Sequence, residues 1–380
     1  MPQPVHTLGR LAGKAGRRTR HAVGTFRRLR ARDKPRGLRP PRRLGSYHLL
    51  SADPVVLYAM NWTFTQVDPP IMPVLDAVAD RPVHVFFSPG WHVGAGTPMA
   101  SLQRLLADVG SRYPRLRVVV AAPTRLSCSA FEAAGLEAIH VNQNAFVDES
   151  RFGVEREERI YDAVYTARLA AFKRLELVRR IPRPALICNS GPELLATPYG
   201  RRTRRLLGHA TWVCDGPDGN RRLGPGEISR VLNQAGAGLA LSAVEGPMYA
   251  SIEYLLSGLP VVTTPAPGGR HEFFDPAVAI TVDPHPESVA RGVREVIAAR
   301  MDPHMIRRLT LERVMEHRAR FISSVQEVFD EAEAGRDFAA EWPAVFIPKL
   351  FPPSVSGTEA IDQYNQELIQ RLTQRGFTVA

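Results

Sequence analysis

Residues 237–264 read AGLALSAVEGPMYASIEYLLSGLPVVTT and predict a strand, a turn, a helix and a second strand in direct succession. The apolar run 238–242 is typical of a buried strand, and Glu245 follows it at the turn. Glu253 comes after seven intervening residues, on the predicted helix. A glycine-proline break then leads into the apolar strand that begins at Val261. Two carboxylates placed across a strand-to-helix turn need a chemical partner.

The same alternation of strands and helices extends on both sides of this stretch and predicts an α/β fold with parallel sheets. We expect ordered structure from Ser46 onward, and irregular structure where four prolines fall within 341–357. The predicted strands are 54–60, 83–87, 117–122, 138–141, 162–166, 185–188, 211–214 and 238–242. One predicted helix begins near Thr97, and this threonine can cap it. Further helices are predicted at 127–134, 227–235, 305–332 and 360–375, and another after Pro284.

Length and composition allow two domains. The chain has 380 residues, of which 44% are hydrophobic, enough for two separate cores. Three scattered cysteines favour a reducing cytosol over a disulfide framework or a zinc site. The sequence contains no apolar run long enough for a transmembrane helix or a secretory signal, so we expect a cytoplasmic protein.

The net charge of +11 belongs to one end of the chain. Residues 1–45 hold fourteen Lys or Arg and a single acid, Asp33, whereas the remaining residues hold 35 basic and 37 acidic side chains. A segment this charged cannot bury a core, so we expect 1–45 to be a disordered basic tail when unbound.

Several partners are compatible with the basic tail. Our first interpretation is attachment to an anionic membrane surface, because each Lys or Arg near such a surface contributes about 1 kcal/mol. Non-specific nucleic-acid binding comes second. An organelle transit peptide comes third, since no serine precedes Ser46. A solvated tail without a partner also remains open.

A glycine-rich loop, GWHVGAG at 90–96, follows the strand at 83–87. Glycines allow close approach of the backbone to an anion, and the helix after the loop presents free N–H groups. His92 and Gly94 are therefore candidate substrate contacts. A flexible connection explains the loop equally well, because its spacing matches neither the dinucleotide nor the phosphate-loop fingerprint.

Charged residues follow two of the predicted strands. Arg168 and Lys173 come after the strand 162–166, and Glu245 comes after 238–242. In doubly wound sheets ligands bind at the carboxyl ends of the strands, so we expect these side chains to share a cleft.

Four short motifs then stand in order along the chain. The first is NAFVD at 144–148, followed by Phe152. The second is Arg168-Leu169 with Lys173 four residues on. The third is the Glu245–Glu253 pair followed by GLPVV at 258–262, and the fourth is Gly268-Gly269 with Glu272. In this order they resemble the motifs of the GT-B glycosyltransferases, especially family four of the retaining enzymes, over about residues 115–300.

The resemblance implies roles for these residues. Arg168 and Lys173 would contact the diphosphate of a nucleotide-sugar donor, Glu245 would hold the sugar hydroxyls, and Glu253 would accept hydrogen bonds from the ribose. Further donor contacts would come from the turn and the second glycine motif: Gly246, Met248, Tyr249 and Gly269, with Arg270 as a candidate sugar contact. The resemblance also implies retention of anomeric configuration, no metal and no other cofactor.

Three departures from the family pattern bear on these roles. Residues 247–250 read PMYA where the family usually has Phe-Gly-Leu-Pro, and Pro247 suits the first turn of a helix. Ala167 stands where a glycine precedes the arginine. The short N-terminal domain matches poorly, and the acceptor is normally recognised there.

These observations predict a GT-B arrangement of two Rossmann-like domains facing a cleft. The predicted division is a tail at 1–45, an acceptor-side domain at 46–150, a donor-binding domain at 151–340 and a C-terminal segment at 341–380 that crosses back to the first domain. We expect a cytoplasmic, peripherally membrane-associated glycosyltransferase of glycan biosynthesis that acts on a glycan, a lipid-linked or a small-molecule acceptor. The alternatives are another GT-B activity, such as a nucleotide-sugar epimerase, and a non-catalytic scaffold or nucleic-acid-binding protein.

Overall fold

The computed structural model describes residues 47–60, 70–94, 96–216, 219–346 and 358–373. The basic tail predicted at 1–45 lies outside these ranges, as does most of the irregular segment 341–357. Among the described helices, none is both long and apolar enough to cross a membrane.

The first lobe is a five-stranded sheet with its strands in sequence order. Strands β2 to β5 pair in parallel, whereas β1 pairs antiparallel with β2. The strands are β1 (Tyr47–Ala52), β2 (Val55–Met60), β3 (Val83–Ser88), β4 (Leu116–Ala122) and β5 (Ala138–His140). The helices are α1 (Met72–Asp76), α2 (Thr97–Arg112) and α3 (Arg125–Ala133).

The second lobe is a six-stranded parallel sheet in the order β13-β12-β11-β6-β7-β8, accompanied by a small antiparallel pair, β9 and β10. Its strands are β6 (Ala163–Thr166), β7 (Pro184–Ile187), β8 (Thr211–Trp212), β9 (Asp215–Gly216), β10 (Gly219–Asn220), β11 (Gly238–Ala240), β12 (Val261–Thr263) and β13 (Ala279–Thr281). The helices of this half are α4 (Pro192–Leu195), α5 (Pro198–Leu206), α6 (Pro225–Asn233), α7 (Tyr249–Leu256), α8 (Pro286–Ala298) and α9 (Pro303–Glu331). Two further helices follow: α10 (Phe338–Val345) and α11 (Thr358–Thr373).

The order of the second sheet creates a switch point between β6 and β11. From β6 the chain builds the sheet outward through β7 and β8, and it then returns to build the other side through β11, β12 and β13. The connections after β6 and β11 therefore leave the same edge in opposite directions and open a crevice, which is the general ligand position in this kind of sheet.

Two elements tie the lobes together. The long helix α9 packs Ile306 and Val314 into the core of the second lobe, and its later residues Phe321 and Phe329 pack against the first sheet. Helix α11 returns to the first lobe, where Leu368 is buried in the core beside β2 and β3. The described part of the C-terminal segment thus packs on the first lobe.

The α/β fold with two sheet-based lobes was predicted correctly, but several local predictions were wrong. The antiparallel strand β1 was not predicted. The cap of α2 is Gly96, with φ of 83°, rather than Thr97. Residues 341–345 are helical despite Pro343, because the aromatic residues of α10 pack against the first sheet. Pro247 precedes α7 instead of lying in its first turn. The domain boundaries at 45, 150 and 340 stay predictions.

Candidate functional site

Two of the three side chains predicted to share a cleft, those of Lys173 and Glu245, meet at the switch point. Lys173 follows β6, Glu245 follows β11, and the Lys173 Nζ donates a hydrogen bond to Oε2 of Glu245. Ser242 Oγ donates to the same oxygen at 2.8 Å. Both charged side chains are largely buried, so the pair is shielded from solvent. The connections after the two strands thus converge as the topology requires.

A buried tyrosine fixes the backbone at Lys173 through a hydrogen bond. Residues Ala171–Lys173 form a short 3-10 turn that ends at Arg174 in the left-handed region, with φ of 52°. Tyr165, on β6, donates its hydroxyl to the Lys173 carbonyl oxygen at 2.6 Å. The Nζ of Lys173 also lies 5.3 Å from the ring centre of Phe172. These contacts fix the lysine ammonium beside Glu245.

Arg168 is exposed, in contrast to Lys173. In the parts of the chain that the structure describes, its guanidinium has neither a hydrogen bond nor an ion pair. The backbone beneath it is anchored, because Leu169 N–H donates to Ser190 Oγ at 3.0 Å and Ala167 N–H donates to the Ile187 carbonyl oxygen at 3.0 Å. Arg168 is therefore an available cation on a fixed backbone.

Two more guanidinium groups lie behind this site and share acceptors. Arg174 donates to the Leu241 and Ser242 carbonyl oxygens, at 2.6 and 3.0 Å, and to Thr264 Oγ1 at 2.7 Å. Arg270 is fully buried and donates to the same Ser242 carbonyl oxygen at 2.8 Å and to the Thr264 carbonyl oxygen. Burial lowers the pKa of Arg174 and lowers the pKa of Arg270 to about 10, so both stay charged at neutral pH.

Neither of these arginines is paired with a carboxylate in the described ranges. Arg174 was not among the site residues predicted from the sequence. Arg270 was predicted to contact the sugar, whereas in the structure its side chain is fully buried and donates to the Ser242 and Thr264 carbonyl oxygens. The one local signal for Arg174 is its position next to Lys173. Arg174 is partly buried and Arg270 is fully buried, and together they add positive charge next to the residues of the switch point.

The turn after Glu245 is built from close backbone approaches. A Cβ on Gly246 would lie 2.3 Å from the Gly90 carbonyl oxygen, so only glycine fits there. Gly268, with φ of 109°, passes against the Glu245 carbonyl oxygen, which a Cβ would reach at 1.6 Å. A Cβ on Gly269 would in turn lie 2.4 Å from the Pro123 side chain. These glycines bring four segments of the chain together, at residues 90, 123, 245–246 and 268–269.

Met248 begins helix α7 from the left-handed region, with φ of 53°. Asn144 Nδ2 donates to the Pro247 carbonyl oxygen at 2.6 Å and to the Met248 carbonyl oxygen at 3.3 Å, which fixes this turn from the segment that joins the two lobes. Over the described ranges, the backbone N–H groups of Gly246 and Met248 have no protein acceptor. Both N–H groups are available to an anionic ligand at the helix N-terminus.

Helix α7 carries the second glutamate. Glu253 is half-buried, and burial raises its pKa to about 7. It makes no hydrogen bond or ion pair with any described residue. Tyr249, one turn earlier, lies between the lobes with its hydroxyl 3.9 Å from Met60 Sδ, and burial raises its pKa.

The glycine-rich loop of the first lobe covers the crevice. Besides the approach of Gly90 to Gly246, the Trp91 ring packs edge-on against Phe172, with ring centres 5.6 Å apart. His92 is half-buried, and burial lowers its pKa, so its ring is neutral at pH 7. Gly94 lies beside it, where a Cβ would be 3.2 Å from His92 Nε2.

A second group of charged residues, the junction cluster, joins the lobes elsewhere: His140, Glu272 and His317. His140 ends β5, Glu272 follows the second glycine motif, and His317 lies on α9. His140 Nε2 is 2.7 Å from Glu272 Oε1, and His317 Nε2 is 3.5 Å from the same oxygen. Burial acts to raise the pKa of Glu272, but the two imidazoles outweigh it and hold this pKa at about 2.

The junction cluster has the donor types of a metal site but does not fit one. Asn142 N–H donates to His317 Nδ1 at 3.3 Å, so the proton of the neutral ring is on Nε2, the atom that would have to bind the metal. The Nδ1 of His140 has no hydrogen-bond partner, whereas a metal-binding histidine normally donates its other N–H to an acceptor. A polar cavity of about 220 Å³ adjoins the cluster, and its other lining residues are Arg125, Arg313, Glu316 and Arg320.

The sequence matches no protein-family model and no curated protein. The structure is similar to HepE from Anabaena in complex with UDP, with 15% identity, a TM-score of 0.49, and coverage of 70% of this chain and 76% of that one. It is also similar to a sucrose-phosphate synthase from Thermosynechococcus elongatus, with 15% identity, a TM-score of 0.48, and coverage of 67% and 69%. A third similar structure is AviGT4, a glycosyltransferase involved in avilamycin A biosynthesis, with 15% identity, a TM-score of 0.44, and coverage of 71% and 78%.

Proposed function

We propose that this chain is a glycosyltransferase that moves a sugar from a nucleotide-sugar donor to an acceptor, with retention of configuration and without a metal. The observation that carries the proposal is the excess of positive charge at the switch point. Lys173, Arg174 and Arg270 carry this charge, Arg174 and Arg270 share the Ser242 carbonyl oxygen, and only Lys173 pairs with a described carboxylate, that of Glu245. Arg168, on the same connection after β6, would add a fourth positive charge. A crevice with this charge suits an anion such as a diphosphate.

The second requirement of such a donor is a partner for its hydroxyl groups. Glu253 offers two carboxylate oxygens and has no described hydrogen-bond partner, so it can accept from the two vicinal hydroxyls of a ribose. Glu253 lies on α7, and the available N–H groups of Gly246 and Met248 lie where that helix begins.

Lys173 and Glu245 are hydrogen-bonded to each other, and both would change hydrogen-bond partners when a donor binds. A diphosphate would draw the ammonium of Lys173 away, and the Glu245 carboxylate, still held by Ser242, would accept from sugar hydroxyls and orient the anomeric carbon. Because charge accumulates on the diphosphate as the glycosidic bond breaks, the fixed cations would bind the transition state more tightly than the donor.

The loop of the first lobe supplies the other wall of the crevice. His92 and Gly94 would contact the acceptor or the sugar, and a neutral His92 can accept or pass on a proton. In the retaining reaction implied by the motif resemblance, the leaving diphosphate takes the proton of the acceptor hydroxyl. Tyr249 and Gly269 would then position the turn around the sugar, since both lie where the two lobes meet.

The test is donor binding and turnover across a panel of nucleotide sugars. Calorimetry with nucleoside diphosphates should show binding that Lys173→Ala weakens at least about tenfold, and hydrolysis or transfer of the matching sugar should fall with it. Arg294→Ala, which removes an exposed arginine on α8, is the control and should bind like the wild type.

Two results would overturn the proposal. Absence of binding to every nucleoside diphosphate would favour a non-catalytic scaffold. Conversion of one nucleotide sugar into its epimer, without transfer to any acceptor, would identify the alternative GT-B activity.

A further inference from the structure

The arginines of the second lobe are unevenly distributed. Residues 174–209 hold eight arginines and two acids, although acidic side chains slightly outnumber basic ones over the whole of 46–380. Arg174 is engaged at the switch point, Arg183 pairs with Asp162, and Arg204 pairs with Asp215. The other five lie on the surface.

Two helical segments carry these surface arginines side by side. The 3-10 helix Leu175–Arg180 and the helix α5 run in the same direction. Near their starts, Tyr199 Oη donates to Glu176 Oε2 at 3.3 Å. Past their ends, His209 Nε2 lies 3.1 Å from the Ile181 carbonyl oxygen, with which it can hydrogen-bond. The two segments therefore form a pair of parallel ridges.

Each segment buries one side and exposes arginines on the other. Leu175, Leu177 and Val178 are buried, as are Thr203 and Leu207, while the remaining surface is basic. The exposed arginines of the two ridges are Arg179, Arg180, Arg201, Arg202 and Arg205. On α5 the last three fall on one face, because residues three and four positions apart are neighbours on a helix.

Several of these charges are not neutralised. Arg180 pairs with Glu287, and Arg201 donates to the Ala196 carbonyl oxygen. Arg179, Arg202 and Arg205 have no ion pair or hydrogen bond within the described ranges. We name these three arginines the basic ridge. Leu206, 39% exposed, lies next to it.

We propose that the basic ridge docks on the anionic headgroups of a phospholipid bilayer. Like charges clustered on a surface repel one another, and a layer of lipid phosphates relieves that repulsion. Arginine binds phosphate oxygens through its planar fork, and each basic side chain near an anionic bilayer strengthens binding about fivefold. The exposed Leu206 beside the arginines suits the apolar boundary under the headgroups.

The ridge is less suited to single-stranded nucleic acid. Such sites usually place aromatic rings in the open for bases to stack on. The nearby indole of Trp212 is covered by the guanidinium of Arg204, 4.1 Å from the ring centre. No exposed aromatic ring lies on the described part of the ridge, where the exposed large apolar side chain is Leu206.

The experiment measures partitioning of the full chain onto vesicles, by sedimentation at low salt. Vesicles of phosphatidylcholine with added phosphatidylglycerol are compared with vesicles of phosphatidylcholine alone. We expect a triple variant, Arg179→Gln, Arg202→Gln and Arg205→Gln, to partition about 100-fold more weakly onto the anionic vesicles. The matched control removes three exposed, unpaired arginines elsewhere: Arg104→Gln, Arg156→Gln and Arg294→Gln.

The control should lose less than about fivefold, and replacement of the three ridge arginines by lysine should retain binding. Equal losses in the ridge and control variants would show that net charge alone matters and would overturn the proposal. So would an unchanged ridge variant, or tight binding to duplex DNA or RNA that depends on the ridge while vesicle binding does not. Thermal unfolding of each variant confirms that these surface changes leave the fold intact.

Discussion

The switch point and the junction cluster are both places where charged side chains from distant parts of the chain meet, but they differ in what they leave unsatisfied. Around the switch point, Arg168 and Glu253 have no described partner, and among Lys173, Arg174 and Arg270 only Lys173 pairs with a described carboxylate, that of Glu245. In the junction cluster, one oxygen of the Glu272 carboxylate lies within ion-pair distance of both imidazoles, and a backbone N–H donates to His317. The first region leaves charged groups without described partners, whereas the second gathers its three side chains around one carboxylate oxygen.

The difference shows why a collection of catalytic residue types is not sufficient to identify a site. His140, Glu272 and His317 have the composition of a metal or acid–base centre, yet the two imidazoles are already grouped around one oxygen of Glu272. The described residues of the switch point include no comparable metal-like set, and their unused hydrogen-bonding capacity and positive charge support the proposed ligand. Unpaired groups on a fixed backbone therefore carry more functional information than residue type.

The largest effect should come from Arg168. We expect Arg168→Ala to lower donor turnover by about 100- to 1,000-fold, because it removes a cation that would stabilise charge on the leaving diphosphate. Since the side chain is exposed and unpaired, the free energy of unfolding should change by less than about 0.5 kcal/mol. Steady-state kinetics and chemical denaturation of the same preparation check both parts. A variant with normal turnover would remove Arg168 from the site.

The junction cluster should show the opposite pattern. We expect Glu272→Ala to lower the free energy of unfolding by about 1 to 3 kcal/mol, because the half-buried His140 and the buried His317 lose their shared carboxylate. Turnover of the folded fraction, measured well below the melting temperature, should stay within about twofold of the wild type, because none of the three residues has a described contact with Lys173 or Glu245. Urea denaturation gives the first value. A large kinetic loss without destabilisation would place the cluster in the active site.

Ionisation of Glu253 is expected to lower the free energy of unfolding and to strengthen donor binding. Its pKa is raised from an ordinary 4.5 to about 7 by burial, so the ionised form destabilises the fold progressively as the pH rises from 4.5 to 7. We expect Glu253→Gln to gain up to about 3 kcal/mol of stability at pH 8 and almost none at pH 4.

The same titration governs donor binding. Ribose hydroxyls are best accepted by the carboxylate, so the wild-type dissociation constant for a nucleoside diphosphate should fall as the pH rises from 6 to 8, by up to about tenfold. Glu253→Gln should bind weakly and lose this dependence. The control is Glu327→Gln, an exposed residue of α9. A pH dependence that survives Glu253→Gln would assign the titration to another group.

The smallest expected effect is that of added zinc. Because His317 keeps its proton on Nε2 and His140 has no acceptor for Nδ1, we expect Zn²⁺ to change the melting temperature by less than about 1 °C in dilute, chelator-free buffer. Differential scanning calorimetry makes the measurement. A concentration-dependent rise that Glu272→Gln abolishes would show that the cluster rearranges to bind metal, and the contrast between the two regions would disappear.

Much of the candidate site could be predicted because it depends on local order. The alternation of apolar strands and helices implies parallel sheets, and parallel strands bring their carboxyl ends to one edge. That rule alone predicted that Lys173 and Glu245 would share a cleft, and the structure shows them hydrogen-bonded. The sequence also placed Gly246 at a predicted turn and Gly268 in a glycine motif. It did not indicate that three segments of the chain touch at these two glycines.

The remaining features depended on which distant elements pack together, and only the tertiary structure decided this. The shared acceptors of Arg174 and Arg270, the donation from Asn142 to His317, and the approach of Gly90 to Gly246 join residues up to 175 positions apart. Periodicity along the chain determines which side of an element is apolar. It does not determine which partner covers that side, because that choice depends on packing between elements that are far apart in sequence. The amino-acid sequence by itself therefore determined the lobes and the edge where a ligand would bind, and the packing decided which charges at that edge remain unpaired.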